Sequence, residues 1–464
     1  MDNIIYSTAT EIAAAIRDKQ ISSVEATQAH LDRIEEVNPK LNAVVLLTER
    51  SAIRTAQRAD EAVANGDDEL GPLHGVPVTI KDAYEVDGVV STGGTLGRKN
   101  YAPEADATVV ARLKKAGVVI LGKTNLPEIS MGFESSNLVY GRTNNPFDLG
   151  RTPGGSSGGE ASIIAAGGSP LGIGSDAGGS IRWPAHCTGI AGLKPTTGRI
   201  PKTGHWPLFA GIYSLVTQPG PMARSVRDLV TALKVLSGPD GIDPNTMPVT
   251  LGDPDAVDLS ELRIAFHTSN GVSTPTPEIQ SAVRTAVSLL KVEVAKVKED
   301  MPGALETTPG LHAGLMGADA GRVAQQILRE AGSPEMDPDL KARIAMMPSE
   351  PMPVTELLGT LVDLEDYRRK MMSFMRGYDV MIGPAAPVPA ALHHHGYDGF
   401  PESGSYSHAY NLAGWPALVI RGGTSPEGMP LGIQVIASPW REDLVLAVGL
   451  FLQEALGEFP RPNI

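Results

Sequence analysis

Short apolar runs alternate with helical patterns along most of this chain, and that rhythm constrains the fold more than any other feature. Val76-Pro-Val-Thr-Ile-Lys81 gives way to a helical stretch over 107–116, then to Val118-Val-Ile-Leu121. Strand, helix and strand in that order predict an α/β fold with parallel neighbours in one sheet. Leu171-Gly-Ile-Gly174, Val380-Met-Ile-Gly-Pro384, Ala417-Leu-Val-Ile420 and Leu431-Gly-Ile-Gln-Val-Ile436 read as further strands, and 443–456 as a closing helix. The first 60 residues instead predict two helices. Thr8 with Glu11, and Ser22 with Glu25, have capping-box spacing, and Val24, Thr27, Leu31, Ile34 and Val37 recur at helical intervals. Residues 225–237 and 354–376 read as helices, and 238–254 as a loop. With no repeat and no long linker, the reading is one domain in four parts: a helical segment (1–65), a core (66–237), an insertion (238–380) and a completion of the sheet (381–464).

Composition narrows the partners. The 53 Asp and Glu against 39 Lys and Arg leave a formal charge of -14; phosphate binding needs a concentrated cationic surface, so no nucleic-acid partner is expected. Cys187 is the only cysteine, which excludes an internal disulfide and a multi-cysteine zinc site. Met1-Asp2-Asn3-Ile4-Ile5 lacks a signal peptide's basic flank, and no apolar run reaches the ~18 residues that span a bilayer. The expected location is therefore the cytoplasm, without a membrane partner, as a monomer or homodimer. Ten of the 15 methionines fall between Met301 and Met381; flexible side chains filling an irregular core explain this more simply than a substrate-moulding surface.

Three motif matches fail on context. Gly117-Val-Val-Ile-Leu-Gly122-Lys123-Thr124 has phosphate-loop spacing, but its four intervening residues favour a buried strand over an open loop of amides. Gly154-Gly155-Ser156-Ser157-Gly158 matches the nucleophile elbow of α/β-hydrolases. That motif must follow a strand, and Asn145-Pro-Phe-Asp-Leu-Gly-Arg-Thr-Pro153 is turn-rich. His393-His394-His395 has no carboxylate or histidine at ligand spacing; it reads as an exposed loop, and no metal is expected.

What survives is a set of three residues. Ser156 and Ser180 lie 24 residues apart in glycine cradles, and Lys81 ends an apolar strand. Around them, Gly75-Val-Pro-Val-Thr-Ile-Lys-Asp82, Gly154-Gly-Ser-Ser-Gly-Gly159, Gly172-Ile-Gly-Ser-Asp-Ala-Gly-Gly-Ser-Ile-Arg-Trp-Pro184 and Gly189-Ile-Ala-Gly-Leu-Lys-Pro-Thr196 resemble the amidase signature family. Weaker similarity runs from Leu73 to about Arg227 and returns at Asn411-Leu-Ala-Gly-Trp-Pro-Ala417. The resemblance implies a large mixed central sheet with helices on both faces. It implies Ser180 as nucleophile, Ser156 as a bridging serine in a cis peptide bond, Lys81 as base, and Ala177, Gly178, Gly179 and Ser180 as the oxyanion hole. It also puts Ser157 near the lysine, although that serine could equally cap the helix expected over 160–166, and makes the insertion the segment that chooses substrates.

The residues point the same way by themselves. An amide is a poor electrophile with a poor leaving group, so a hydroxyl must be activated and the departing nitrogen protonated. His186 is the only histidine in the glycine-dense block from Gly150 to Gly204, which leaves a lysine as base. A lysine serves only when desolvation keeps it neutral, and Val78 and Ile80 supply apolar surroundings. A hydroxyl both donates and accepts, so Ser156 can relay a proton. Asp176 and Arg182 read as an ion pair fixing the nucleophile's loop, and Cys187 as a small buried apolar residue. Met131, Gly132, Ser157, Trp183, Trp206, Phe209 and Tyr213 are substrate-pocket candidates because they neighbour these segments, although core packing would explain them as well. Singly, each serine reads as a turn residue and the lysine as a surface group; the joint match outweighs those readings. The expected function is hydrolysis of an apolar or aryl amide, or a carbamate, with no cofactor. The alternative is the glutaminase-type component of a tRNA-dependent amidotransferase, which resembles the same family.

Overall fold

The computed structural model describes residues 4–67, 69–395 and 404–464. Its strands are β1 (Val44–Leu47), β2 (Pro77–Lys81), β3 (Val119–Thr124), β4 (Ser136–Asn137), β5 (Gly141–Arg142), β6 (Leu171–Asp176), β7 (Ala191–Lys194), β8 (Gln218–Ala223), β9 (Arg263–Phe266), β10 (Lys296–Glu299), β11 (Val380–Pro384), β12 (Ala417–Thr424) and β13 (Pro430–Ala437). β4 and β5 form a small hairpin. The other eleven form one sheet in the order β1-β3-β2-β6-β8-β7-β12-β13-β11-β9-β10. β2 runs parallel to β3 and β6, and β9 to β10 and β11. The remaining pairs are antiparallel, so the sheet is mixed, as the resemblance implies and the strand-helix-strand rhythm alone does not. Consecutive parallel strands need a crossover. The helices Thr108–Lys115 and Pro277–Leu290 supply it for β2/β3 and β9/β10.

Neighbouring residues along a strand face opposite ways, and here both faces are covered. Leu418, Ile420, Ile433 and Val435 pack with helices Val226–Leu236, Pro277–Leu290 and Glu442–Leu456, whereas Ala417, Val419 and Ile436 enter separate clusters. That is why the central strands read as continuous apolar runs. Both predicted capping boxes form. Met371, Met375 and Met381 join a core with Tyr367 and Trp415, whereas Met346 and Met372 are exposed.

The histidine run departs from the exposed loop expected of it. His393 is buried with its Nδ1 3.5 Å from the Glu134 carboxylate; His394 and His395 are exposed. Among the described residues no group of three or more His, Cys, Asp or Glu could hold a metal ion, and no helix is long and apolar enough to cross a membrane.

Candidate active site

Lys81 is the last residue of β2, all of which is buried. Its Nζ meets three hydroxyls, Ser156 Oγ at 2.6 Å and Ser157 Oγ and Ser175 Oγ at 3.0 Å each. Burial pushes the amine's pKa down to about 7, against the more distant pull of Asp176 and Glu160. Among the described residues no carboxylate lies within ion-pair distance of it.

The serines arrive on two segments. Gly154 has φ +86°, and a Cβ there would meet the Pro184 backbone at 2.8 Å, so only glycine fits. The Gly155–Ser156 peptide bond that follows is cis, and helix Gly158–Ala165 begins just beyond. β6 carries Ser175 and ends at Asp176, after which residues 177–180 turn into helix Arg182–Thr188.

Asp176 organises that turn. Its carboxylate accepts the Gly179 N–H at 2.7 Å and the Ile181 N–H at 3.2 Å, and Arg182 forks onto both oxygens at 3.0 and 3.1 Å. Asn411 donates to the carboxylate at 2.9 Å, and Gln434 accepts from Arg182 at 2.9 Å. Although burial opposes it, the Arg182 guanidinium holds the Asp176 carboxyl well below the usual carboxylate range. The ion pair expected from the sequence is thus the clamp on the loop that carries Ser180. Because the Gly179 amide is given to Asp176, the turn amides without an acceptor among the described residues are those of Ala177, Gly178 and Ser180. The Ser180 hydroxyl has no hydrogen-bond partner among the described residues. Its carbonyl accepts the Ser157 N–H at 3.2 Å, which brings the two serine segments together.

Ser180, Ala177 and Gly178 open onto a cavity walled in part by Met131, Gly132, Phe209 and Tyr213. Those are four of the seven pocket candidates. Ser157 sits on the lysine instead. Trp183 packs beside Cys187 and donates to the Phe133 carbonyl at 3.3 Å. Trp206 packs against Ile129 and Met131 under the Arg98 guanidinium; neither tryptophan lines the cavity. Cys187 is buried and its thiol is pushed well up, as suits an inert side chain.

Sequence reasoning missed Phe133, His312, Met316, Arg343, Met347 and His408 in the cavity wall. Methionine density between Met301 and Met381 was the one available signal for Met316 and Met347. It also missed Ser175 beside the lysine and His205, whose Nε2 lies 2.9 Å from Ser175 Oγ. A larger cleft of about 430 Å³, lined by Arg224, Arg421 and Phe459 among others, contains none of the serines around Lys81.

Fold and site agree with what comparison with known proteins shows, a hydrolase of amide carbon–nitrogen bonds. The amidase family profile matches residues 25–446, and the chain belongs to that family. Fatty-acid amide hydrolase 2-B of Danio rerio is 35% identical over 99% of this chain and 91% of its own length. A glutamyl-tRNA(Gln) amidotransferase component of Cutibacterium acnes is 33% identical over 99% of this chain and 97% of its own length. A solved bacterial aryl acylamidase of the amidase signature family superposes with a TM-score of 0.86 at 26% identity, covering 96% of each chain.

Proposed function

We propose that this chain hydrolyses apolar or aryl amides through an acyl-enzyme on Ser180, with Ser156 as proton relay and Lys81 as base. The observation that carries the reading is the company Lys81 keeps: a buried amine among hydroxyls, without a touching carboxylate, is poised to be neutral. As Ser180 Oγ bonds to the carbonyl carbon, its proton passes to Ser156 Oγ, whose own proton passes to Lys81 Nζ. The carbonyl π pair moves onto oxygen, where the Ala177, Gly178 and Ser180 amides can receive it. Collapse re-forms the carbonyl and breaks the C–N bond while the proton returns through Ser156 to the departing nitrogen. Water then repeats the sequence on the acyl ester, releasing the acid and restoring the Ser180 hydroxyl.

Met131, Phe133, Phe209 and Met316 favour an apolar acyl or amine group in the cavity, and a carbamate carbonyl fits the same reading. His312, Met316, Arg343 and Met347 come from the insertion, which supports its role in substrate choice. The named amidotransferase relative supports a second reading, a glutaminase that works inside a complex.

The test is labelling of the purified chain with a fluorophosphonate and location of the adduct by mass spectrometry, beside turnover of p-nitroacetanilide and of glutamine. The expected adduct is on Ser180, with aryl amide hydrolysis by the chain alone. An adduct on another residue overturns the mechanism, and glutaminase activity that needs a partner selects the second reading.

A further inference from the structure

We infer that His205 is a positioning residue for the reaction: through Ser175 it orients the Lys81 amine so that the lone pair faces Ser156. The inference rests on Lys81 being the base. It begins with the imidazole's hydrogen bonds. Nδ1 lies 2.9 Å from the Pro207 carbonyl oxygen, which can only accept, so Nδ1 carries the hydrogen. The ring is buried, and burial is the largest cause that pushes its pKa down to about 3. It is therefore neutral, and Nε2 is a bare acceptor.

The donor that Nε2 meets is the Ser175 hydroxyl at 2.9 Å. Tyr84 also approaches Ser175, but its own hydrogen goes to the Gly174 carbonyl at 2.8 Å, and an imidazole nitrogen is a stronger base than a phenol oxygen. With its hydrogen committed to His205, Ser175 Oγ can only accept from Lys81, at 3.0 Å. Ser157 leans the same way, more weakly: its hydrogen has a long contact of 3.5 Å to the Ser175 carbonyl, and its oxygen accepts from Lys81 at 3.0 Å. A neutral amine has two hydrogens and one lone pair. Ser157 and Ser175 take the two hydrogens, and the lone pair is left for Ser156, the nearest of the three at 2.6 Å. Without His205, the Ser175 hydroxyl is free to turn and donate into that lone pair, which blocks the relay.

The imidazole is well placed to hold this direction. The segment carrying it bridges back to the turn after β2, with Trp206 N–H donating to the Ala83 carbonyl at 2.7 Å and Glu85 N–H to the Gly204 carbonyl at 2.9 Å. The Tyr84 and Phe209 rings flank it at 4.9 and 4.8 Å. The more distant charges that face Lys81, Asp176 and Glu160, are untouched by a change at His205.

The experiment compares His205→Leu, His205→Gln, Ser175→Ala and the Leu/Ala double variant on p-nitroacetanilide, with melting curves for each. His205→Leu is expected to lower kcat about ten- to a hundredfold with KM within about twofold, and His205→Gln, which restores an acceptor, to recover most of it. Ser175→Ala should show a similar kcat loss, and the double variant should be no worse than either single, because His205 acts only through Ser175. A fully active folded leucine variant, a change confined to KM, or losses that multiply in the double variant would each overturn the inference. Should the leucine variant fail to fold, an undiminished kcat in Ser175→Ala does so. Lys81→Ala, run alongside, separates the two levels: if it stays active, the base assignment itself fails, whereas a dead lysine variant beside an active leucine variant removes His205 alone.

Discussion

Lys81 ends β2 and Lys123 stands one residue before the end of the neighbouring β3; both are completely buried, yet their surroundings are opposites. Lys123 pairs with Asp82 at 3.0 Å and donates to the Tyr84 carbonyl and Ser91 Oγ at 2.7 Å each. Among the described residues Lys81 hydrogen-bonds only to hydroxyls. Their directions also differ: Lys123 pairs across the ladder with Ile80, so the two amines leave opposite faces of the sheet. Burial pushes both pKa values down, and Lys194, whose amine donates to the Pro195 carbonyl, goes to about 7 as well. A lowered pKa therefore does not distinguish a base from a structural cation. The partners do. A carboxylate and a carbonyl oxygen can only accept, so they hold a lysine's hydrogens in place. A hydroxyl can accept or donate, which lets a lysine release a proton and take it back along the same contact.

The largest expected effect tests that contrast directly. Lys81→Ala should lower kcat on an aryl amide by about 10²–10⁴-fold in initial-rate assays, with circular dichroism and melting close to the parent. Retained turnover would make the two lysines equivalent and break the comparison. Lys123→Met should instead act on stability, costing about 3–5 kcal/mol in urea unfolding because Asp82 is left as a buried unpaired carboxylate. Adding Asp82→Asn should restore much of it, and an unchanged unfolding midpoint for Lys123→Met would deny the ion pair a structural role. The smallest effect is the pH profile. In the proposed mechanism Lys81 must be unprotonated to accept, so kcat/KM should rise with pH through about 7 and then level off, falling about tenfold for each unit below the midpoint. A profile that falls through the same region points to a group that must be protonated.

The strand that carries Lys81 and the strand that leads into the Ser180 turn were legible because sheet strands covered on both faces read as apolar runs. β8 was not. Its sequence Gln218-Pro-Gly-Pro-Met-Ala223 puts two prolines in a strand lying between β6 and β7, which ordinarily argues against a central strand. The β7 ladder reaches β8 only at Met222 and Ala223, so neither Pro219 nor Pro221 is required to donate to it. The short edge strand β10, Lys-Val-Lys-Glu, has little apolar content to betray it. In the site, the glycine turn and its Asp176–Arg182 clamp were readable because residues close in the chain build most of both. His205 was passed over: it stands one residue beyond the glycine-dense block, and no local pattern ties it to a strand 30 residues earlier.

The sequence by itself determined the motif residues Lys81, Ser156 and Ser180, the backbone freedom of their glycine loops, and the family, because each depends on residue types at short spacing. Tertiary structure decided which way those groups face and what surrounds them. The Phe133, Met316, Arg343 and His408 wall, the three hydroxyls around Lys81, and the His205–Ser175 contact all arise where segments distant in the chain converge. The proton-accepting state of a buried amine is set by the direction of the hydrogen bonds around it, and that direction exists only once the sheet has brought those segments together.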